Sequence, residues 1–488
     1  MGEELSGLLN SYPGAPETTV VHWKNGSATL AEVTEAARDL AFELGGVRRA
    51  PVACIVDRGI DAVVGMFATW FAGGVYVPVN SRLPEAELQR QLTDIEPAAL
   101  IVGGAHVRSV GGRRESHAVF PEDAALVMRT SGTTGAAKPV VLRHRAVLEG
   151  IDTVIARLRG SARGGAGSDE RDRPAMPNLV PTSLALWAGI WNTLFAFRLG
   201  APVVLLDRFD ALDYATAVKR FGIRSTVLAP AMMSMLLTDP RIEDLKPLRL
   251  VRSVTAPLVP DQARRFHQKF GVDVLNSYGQ TELGGEVVGW SAADLRRFGE
   301  AKLGAVGRPH SGISVRILDE EHREMPAGEV GEVFVHSPFA TTLPPGRVVD
   351  GALRTGDLGR LDQDGFLWIE GRVSDMINRG GLKIVPQDVE AALRGHPQVA
   401  DACVAGVPDE RLGEVPVAWV IPEPAGAPGE PTERELRSFL RNRLAPYQVP
   451  VAIRLMKADF PRNEIGKVLR RELAAGYTPL HELEGDAR

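Results

Sequence analysis

The first half of the chain alternates two hydrophobic periods. Residues 30–46, LAEVTEAARDLAFELGG, space apolar side chains as a helix does and close on Gly45-Gly46, a C-terminal stop. PVACIVD, 51–57, is a short unbroken apolar run and reads as a buried strand. Residues 62–79, AVVGMFATWFAGGVYVPV, read as a buried helix, a double-glycine turn and a second strand. Apolar runs recur at AALIVGG, PVVLLD, STVLAP and LRLVRSV, with helical stretches between them. Strands that alternate with helices predict an α/β architecture rich in parallel sheet.

From about residue 310 the pattern shifts to short strands: ISVRILD, GEVGEVFVHS and FLWIEGR. After 375 the spacing predicts a helix over 386–395, strands over 399–407 and 415–422, a helix over 432–444 and a strand over 450–456. This last stretch is long enough for a small α+β domain of its own. Two segments read as loops, the Gly- and Arg-rich 160–177 and the Pro/Gly-rich 422–431.

Composition narrows the function. At 488 residues the chain exceeds a single ordinary core, so at least two domains are expected. The net charge of −5, with no basic stripe, argues against nucleic acid or an anionic membrane as partner. The N-terminal residues do not read as a signal peptide, and no apolar run reaches the roughly 18 residues of a membrane span. A cytoplasmic protein is the expectation. Cys54 and Cys403 each sit in an apolar strand-like run and read as buried, inert thiols. Of the 56 basic residues, nine are lysines, so arginine is the default cation and each lysine draws notice.

The first chemical signal is LVMRTSGTTGAAKPVVL, 126–142. A strand runs into Thr130, Ser131, Gly132, Thr133, Thr134 and Gly135, with Lys138 after them. Glycines let the backbone turn tightly around an anion, hydroxyls add donors and the lysine adds charge. A Walker A loop is excluded, because Gly-Lys-Ser/Thr does not follow at the required spacing. The plain alternative is a polar hairpin turn. The segment resembles the phosphate-binding loop of the adenylate-forming superfamily, which includes acyl- and aryl-CoA ligases, peptide-synthetase adenylation domains and luciferases. The family usually has proline before the lysine, where this chain has Ala137.

Three further motifs follow in the family's order. In NSYGQTELGG, 276–285, the resemblance implies that Ser277, Tyr278 and Gly279 border adenine, that Thr281 bonds the α-phosphate, and that Glu282 holds Mg²⁺. Upstream, Ala256-Pro257-Leu258 resembles the segment whose backbone lines the adenine and acyl sites. In RTGDLGRLDQDGFLWIEGRVSD, 354–375, Asp357 would accept both ribose hydroxyls and Arg372 would reach the ribose or phosphates. In PRNEIGKVLRREL, 461–473, Lys467 would bridge the substrate carboxylate and the α-phosphate. Taken singly, each motif has a plainer reading: a turn, a surface acid, an exposed lysine. Four in order, from about residue 20 to 475, leave no room for coincidence.

The fold implied by the resemblance is a large N-terminal domain of helix-flanked sheets with a small β-barrel-like region, 1–373. A small mobile α+β domain, 374–488, follows it. Ser374 would be the pivot, where the family usually has Asp or Lys, and Gly380-Gly381 would shape the channel for the second nucleophile. The implied reaction is ATP- and Mg²⁺-dependent acyl-adenylate formation, then transfer to CoA. Transfer to an amine is the alternative, and a non-catalytic adenylate-binding regulator a remote one. No acid lies in NLVPTSLALWAGIWNTLF, 178–195, where amino-acid-activating relatives hold the substrate amine with aspartate. Leu186 stands where CoA ligases generally have histidine, with Trp187 beside it. Apolar lining and Gly284-Gly285 point to an aryl or medium apolar acid. The segment 337–353 is shorter than in CoA ligases, which opens the choice of acceptor. Monomer and homodimer both stay open.

Overall fold

The computed structural model describes residues 4–103, 106–108, 119–131, 137–162, 176–256, 258–341, 346–423, 430–462 and 468–477. The chain divides into two compact units, Met1–Val315 with Val335–Leu353, and Arg316–Phe334 with Arg354–Arg488.

Three sheets organise the first unit. Pro51–Val56, Val75–Asn80, Ala99–Val102 and Ala124–Ser131 are parallel neighbours, edged by the antiparallel strands His106–Arg108 and Ala137–Arg143. The apolar run read as a strand at 51–57 is buried along nearly its whole length, as expected of a parallel strand covered on both faces. The helix expected over 30–46 spans Leu30–Leu44. Thr29 and Glu32 close a reciprocal cap at its start, and Gly45 takes a positive φ at its end. A second sheet orders Gly26–Thr29, Thr19–Trp23, Val203–Leu205 and Asn178–Val180. The third runs Ser225–Leu228, Leu250–Ser253, Asp273–Gln280, Gly285–Gly289 and Arg308–Pro309; its first three strands are parallel.

In the second unit, Gly413–Pro422 pairs with Val399–Asp409, Ile377–Arg379 and Ala452–Leu455. Helices Pro386–Arg394 and Glu433–Arg441 pack Val389, Leu393, Leu436 and Leu440 against Ala402, Val404, Val420 and Ile453. The alternate residues Cys403, Ala405 and Val407 join Trp419, Phe460 and Leu473 on the other face. The period-two pattern thus feeds two apolar clusters from one hairpin. Both cysteines are buried, and burial pushes each thiol up to about 12, which keeps them protonated and unreactive. Among the described residues no helix is long and apolar enough to cross a membrane.

Candidate active site

The phosphate-loop motif begins on one strand of an antiparallel pair and ends on the other. Ala124–Ser131 and Ala137–Arg143 run antiparallel, pairing Thr130 with Lys138 and Ser131 with Ala137. The register therefore brings the ends of the hydroxyl run and the lysine opposite one another. Gly132, Thr133, Thr134 and Gly135 lie outside the described residues.

The tyrosine–glutamate motif is built where a strand breaks. Asp273–Gln280 leads into a single 3₁₀ turn, Thr281–Leu283, and the chain returns antiparallel as Gly285–Gly289. The return is tight. A Cβ on Gly279 would lie 2.0 Å from the Gly285 carbonyl oxygen, so glycine is required there. Ser277 Oγ donates to the Ser253 carbonyl at 2.9 Å, which ties the start of the motif to the neighbouring strand. Tyr278 is half-buried, and Gln280 Nε2 lies 3.4 Å from its hydroxyl. Thr255 carries φ +73° in the stretch before Ala256, a left-handed conformation rare for a β-branched residue. Backbone strain of this kind collects at functional sites. Pro257 lies outside the described residues, and Leu258 is buried.

Glu282 is not a solvated surface acid. Its side chain is 13% exposed, with Arg347 Nη1 at 3.3 Å. The segment around Arg347 clamps the whole turn. Thr341 N donates to the Glu282 carbonyl at 2.9 Å, Ser337 Oγ donates to the Leu283 carbonyl at 3.1 Å, and Phe339 backs Gly284. Gly284 takes φ +85°, and a Cβ there would lie 2.7 Å from the Phe339 carbonyl oxygen. The short 337–353 segment thus supplies the support and the countercharge of the candidate metal carboxylate.

A buried charge cluster behind this turn escaped the sequence reading. Glu286 accepts from Arg252 Nη1 at 2.9 and 3.0 Å and pairs with His310 Nε2 at 3.0 Å. Arg157 bonds the other nitrogen of His310, and its Nη2 donates to the Gly289 carbonyl at 3.0 Å. Guanidinium can only donate, so His310 Nδ1 accepts and Nε2 donates to Glu286. Burial pushes the Glu286 carboxyl up, but Arg252 and His310 outweigh it and hold it down at about 2. The signal was present in the sequence as Arg252 inside the apolar run LRLVRSV.

In the second unit, Asp357 and Arg372 face each other across an antiparallel pair. Asp357 is 2% exposed and its Oδ1 lies 2.9 Å from Arg372 Nε. The fifteen-residue spacing is that of a hairpin. Asp362 fixes its turn by accepting from the Phe366 amide at 3.0 Å and the Trp368 indole at 2.9 Å. Thr355 Oγ1 accepts from the Asp357 amide at 3.1 Å and donates to the Val333 carbonyl at 2.7 Å. Just beyond, Ser374 sits in a 3₁₀ turn, Val373–Asp375, with its Oγ 3.1 Å from Asp375 Oδ1. Gly380 and Gly381, at φ +60° and +90°, form the two-residue turn between Ile377–Arg379 and Leu382–Ile384. Lys467 lies outside the described residues; Arg462 and Val468 on either side of it form a bridge.

Leu186 caps the helix Trp187–Leu199. Trp187 is buried, and its indole Nε1 has no hydrogen-bond partner among the described residues.

Known proteins match this arrangement along its length. A family model of AMP-binding enzymes matches residues 11–120 and 107–342, and the model of their C-terminal domain matches 388–467. The chain is 31% identical to the fatty acid–acyl-carrier-protein ligase ScoC of Streptomyces coeruleorubidus, over 94% of this chain and 93% of that one. It is 28% identical to the indoleacetate–CoA ligase of Aromatoleum aromaticum, over 97% and 99%. Its fold is similar to that of the amide bond synthetase McbA from Marinactinospora thermotolerans, with TM-score 0.80, 25% identity, and 97% and 100% of the two chains covered. The chain belongs to the AMP-binding enzymes, the adenylate-forming ligases.

Proposed function

We infer that the protein activates an aryl or medium apolar carboxylic acid as its adenylate and transfers the acyl group to CoA. The observation that carries the adenylation half is Glu282, a carboxylate sheltered from bulk water in the turn after Tyr278 and Thr281. Arg347 Nη1 lies 3.3 Å from it, and carboxylate oxygens are the ligands a hard cation takes. Among the described residues no cluster of three or more His, Cys, Asp or Glu could hold a metal. An ion at Glu282 would therefore take most of its ligands from phosphate and water, which is how Mg²⁺ is usually held. When bound it neutralises phosphate charge.

The remaining work falls to the chain. Thr130, Ser131, Gly132, Thr133, Thr134, Gly135 and Lys138 bind the phosphates with backbone and side-chain donors. Tyr278 stacks on adenine, beside Ser277, Gly279 and the Ala256-Pro257 backbone, and Thr281 bonds the α-phosphate. Asp357 accepts the ribose hydroxyls and Arg372 steers that carboxylate. Lys467 stabilises the charge that gathers on the α-phosphate as the acid attacks and pyrophosphate leaves. The segment 374–488 then pivots at Ser374, and Gly380-Gly381 meet the second nucleophile. Leu186, Trp187 and Gly284 border the acid.

A CoA acceptor is favoured by the likeness to the indoleacetate–CoA ligase. The likeness to an amide bond synthetase and the short, inward-braced 337–353 segment favour an amine as the second reading. The test is partition of a supplied acyl-adenylate between CoA and a panel of amines. Thioester formation at low CoA concentration is expected. Amide formation with no thioester would transfer the reading to the amine.

A further inference from the structure

Buried polar atoms in folded proteins almost always have partners, and an unmet one calls for an explanation such as a bound water, strain or a functional role. The Trp187 Nε1–H is such an atom. The residue is 9% exposed and opens a helix, Trp187–Leu199, that is buried along most of its length. The position of its Nε1 is fixed relative to Gly285. A Cβ built on Gly285 would lie 3.6 Å from Trp187 Nε1 and 3.1 Å from Trp191 Nε1. Two indole nitrogens therefore lie beside Gly285, which follows closely on the Thr281–Leu283 turn. Trp191 is held there by stacking on Phe195, with ring centroids 5.2 Å apart.

The buried hydroxyls without a partner among the described residues include Thr182 Oγ1 and Ser253 Oγ. Thr182 follows the carboxyl end of the parallel strand Asn178–Val180, and Ser253 ends the parallel strand Leu250–Ser253. Ligands of open α/β sheets bind outside the carboxyl ends of their strands. A purely hydrocarbon acid would leave the indole donor unmet, whereas an acceptor on the acid would satisfy it.

We propose that Trp187 is a specificity-determining residue, and that the preferred acid carries a hydrogen-bond acceptor which the Trp187 indole N–H meets beside Gly285. The substrate class is thereby narrowed from an apolar aryl acid to an aryl acid that carries a hydrogen-bond acceptor. This rests on the adenylation reading above.

The experiment compares shape-matched acids, naphthalenecarboxylates against their quinoline- and isoquinolinecarboxylate counterparts, in ATP–pyrophosphate exchange. At least one nitrogen isomer is expected to exceed its hydrocarbon match by about tenfold or more in kcat/KM, the scale of one hydrogen bond made in a dry site. Trp187→Phe keeps an aromatic ring and removes the donor. It should bring that ratio close to one, whatever it does to the absolute rate with either acid. A preference that survives Trp187→Phe, or no preference for any nitrogen isomer in the wild type, overturns the proposal. The wild-type protein with ¹⁵N-labelled tryptophan gives a readout that does not depend on the variant folding. The Trp187 indole proton should shift downfield with the nitrogen acid and ATP, but not with its naphthalene match; equal shifts count against the proposal. Absence of exchange with every acid would instead bring down the adenylation reading itself.

Discussion

Glu286 ties together strands before and after the Thr281–Leu283 turn through buried charge. Its carboxylate joins the strand that carries Arg252 to the strand after the Thr281–Leu283 turn, and His310 completes the pair. Removing one partner of a buried ion pair strands the other, at a cost of about 3–5 kcal/mol. Glu286→Gln should therefore lower the melting temperature markedly at neutral pH. The pH dependence has a definite sign. The folded carboxyl titrates at about 2, below its unfolded value, so its stabilisation is complete above the ordinary carboxylate range. It is lost as pH falls from there towards 2. Melting curves of wild type and Glu286→Gln should converge as pH drops through that window. A constant gap would show that the charge of Glu286 does not stabilise the fold. At this scale the sequence was legible where a motif named the residue, as at Glu282. It was not legible at Glu286 and His310, because their partners come from strands and a helix far away in the chain. Arg347 was hidden for the same reason.

Elements were more legible than residues. The Leu30–Leu44 helix, the strands at Pro51–Val56 and Val75–Asn80, and the C-terminal hairpin Val399–Pro422 all follow from apolar period and turn residues. The hairpin from Ala352 to Arg372 was legible as spacing, but the ion pair across it emerges from register: Asp357 stands opposite Arg372. The turn at Val373–Asp375 follows directly on that pair, so a pivot there would move away from a fixed anchor. Ser374→Pro would restrict φ at the pivot. It should leave acid-dependent pyrophosphate exchange near the wild-type rate and slow transfer from a supplied adenylate by about tenfold or more, as hinge changes alter conformational steps rather than chemistry. Equal rates in both half-reactions would place the pivot elsewhere.

For the whole molecule, the sequence carried the fold class and the four motifs, whereas the grouping of the chain into compact units came from packing. Arg316–Phe334 joins the second unit although it precedes residues of the first. Such interleaving cannot be read from local period, since it depends on which strands pair. The acid and the acceptor were the least legible, because local period does not say which side chains meet from separate elements, as Trp187 does with Gly285 and Phe339 with Gly284. The chemistry common to the CoA and the amine readings is that ATP and an acid react reversibly with pyrophosphate release. It is tested most directly by ATP–pyrophosphate exchange in wild type and Lys467→Ala, with a broad acid panel and Mg²⁺. Exchange that requires an acid and falls on the order of a hundredfold or more in the variant is expected, the scale of losing one preorganised charge at a reacting centre. In the same variant, transfer from supplied acyl-adenylate should persist. No exchange with any acid, or exchange that is indifferent to Lys467, would contradict it.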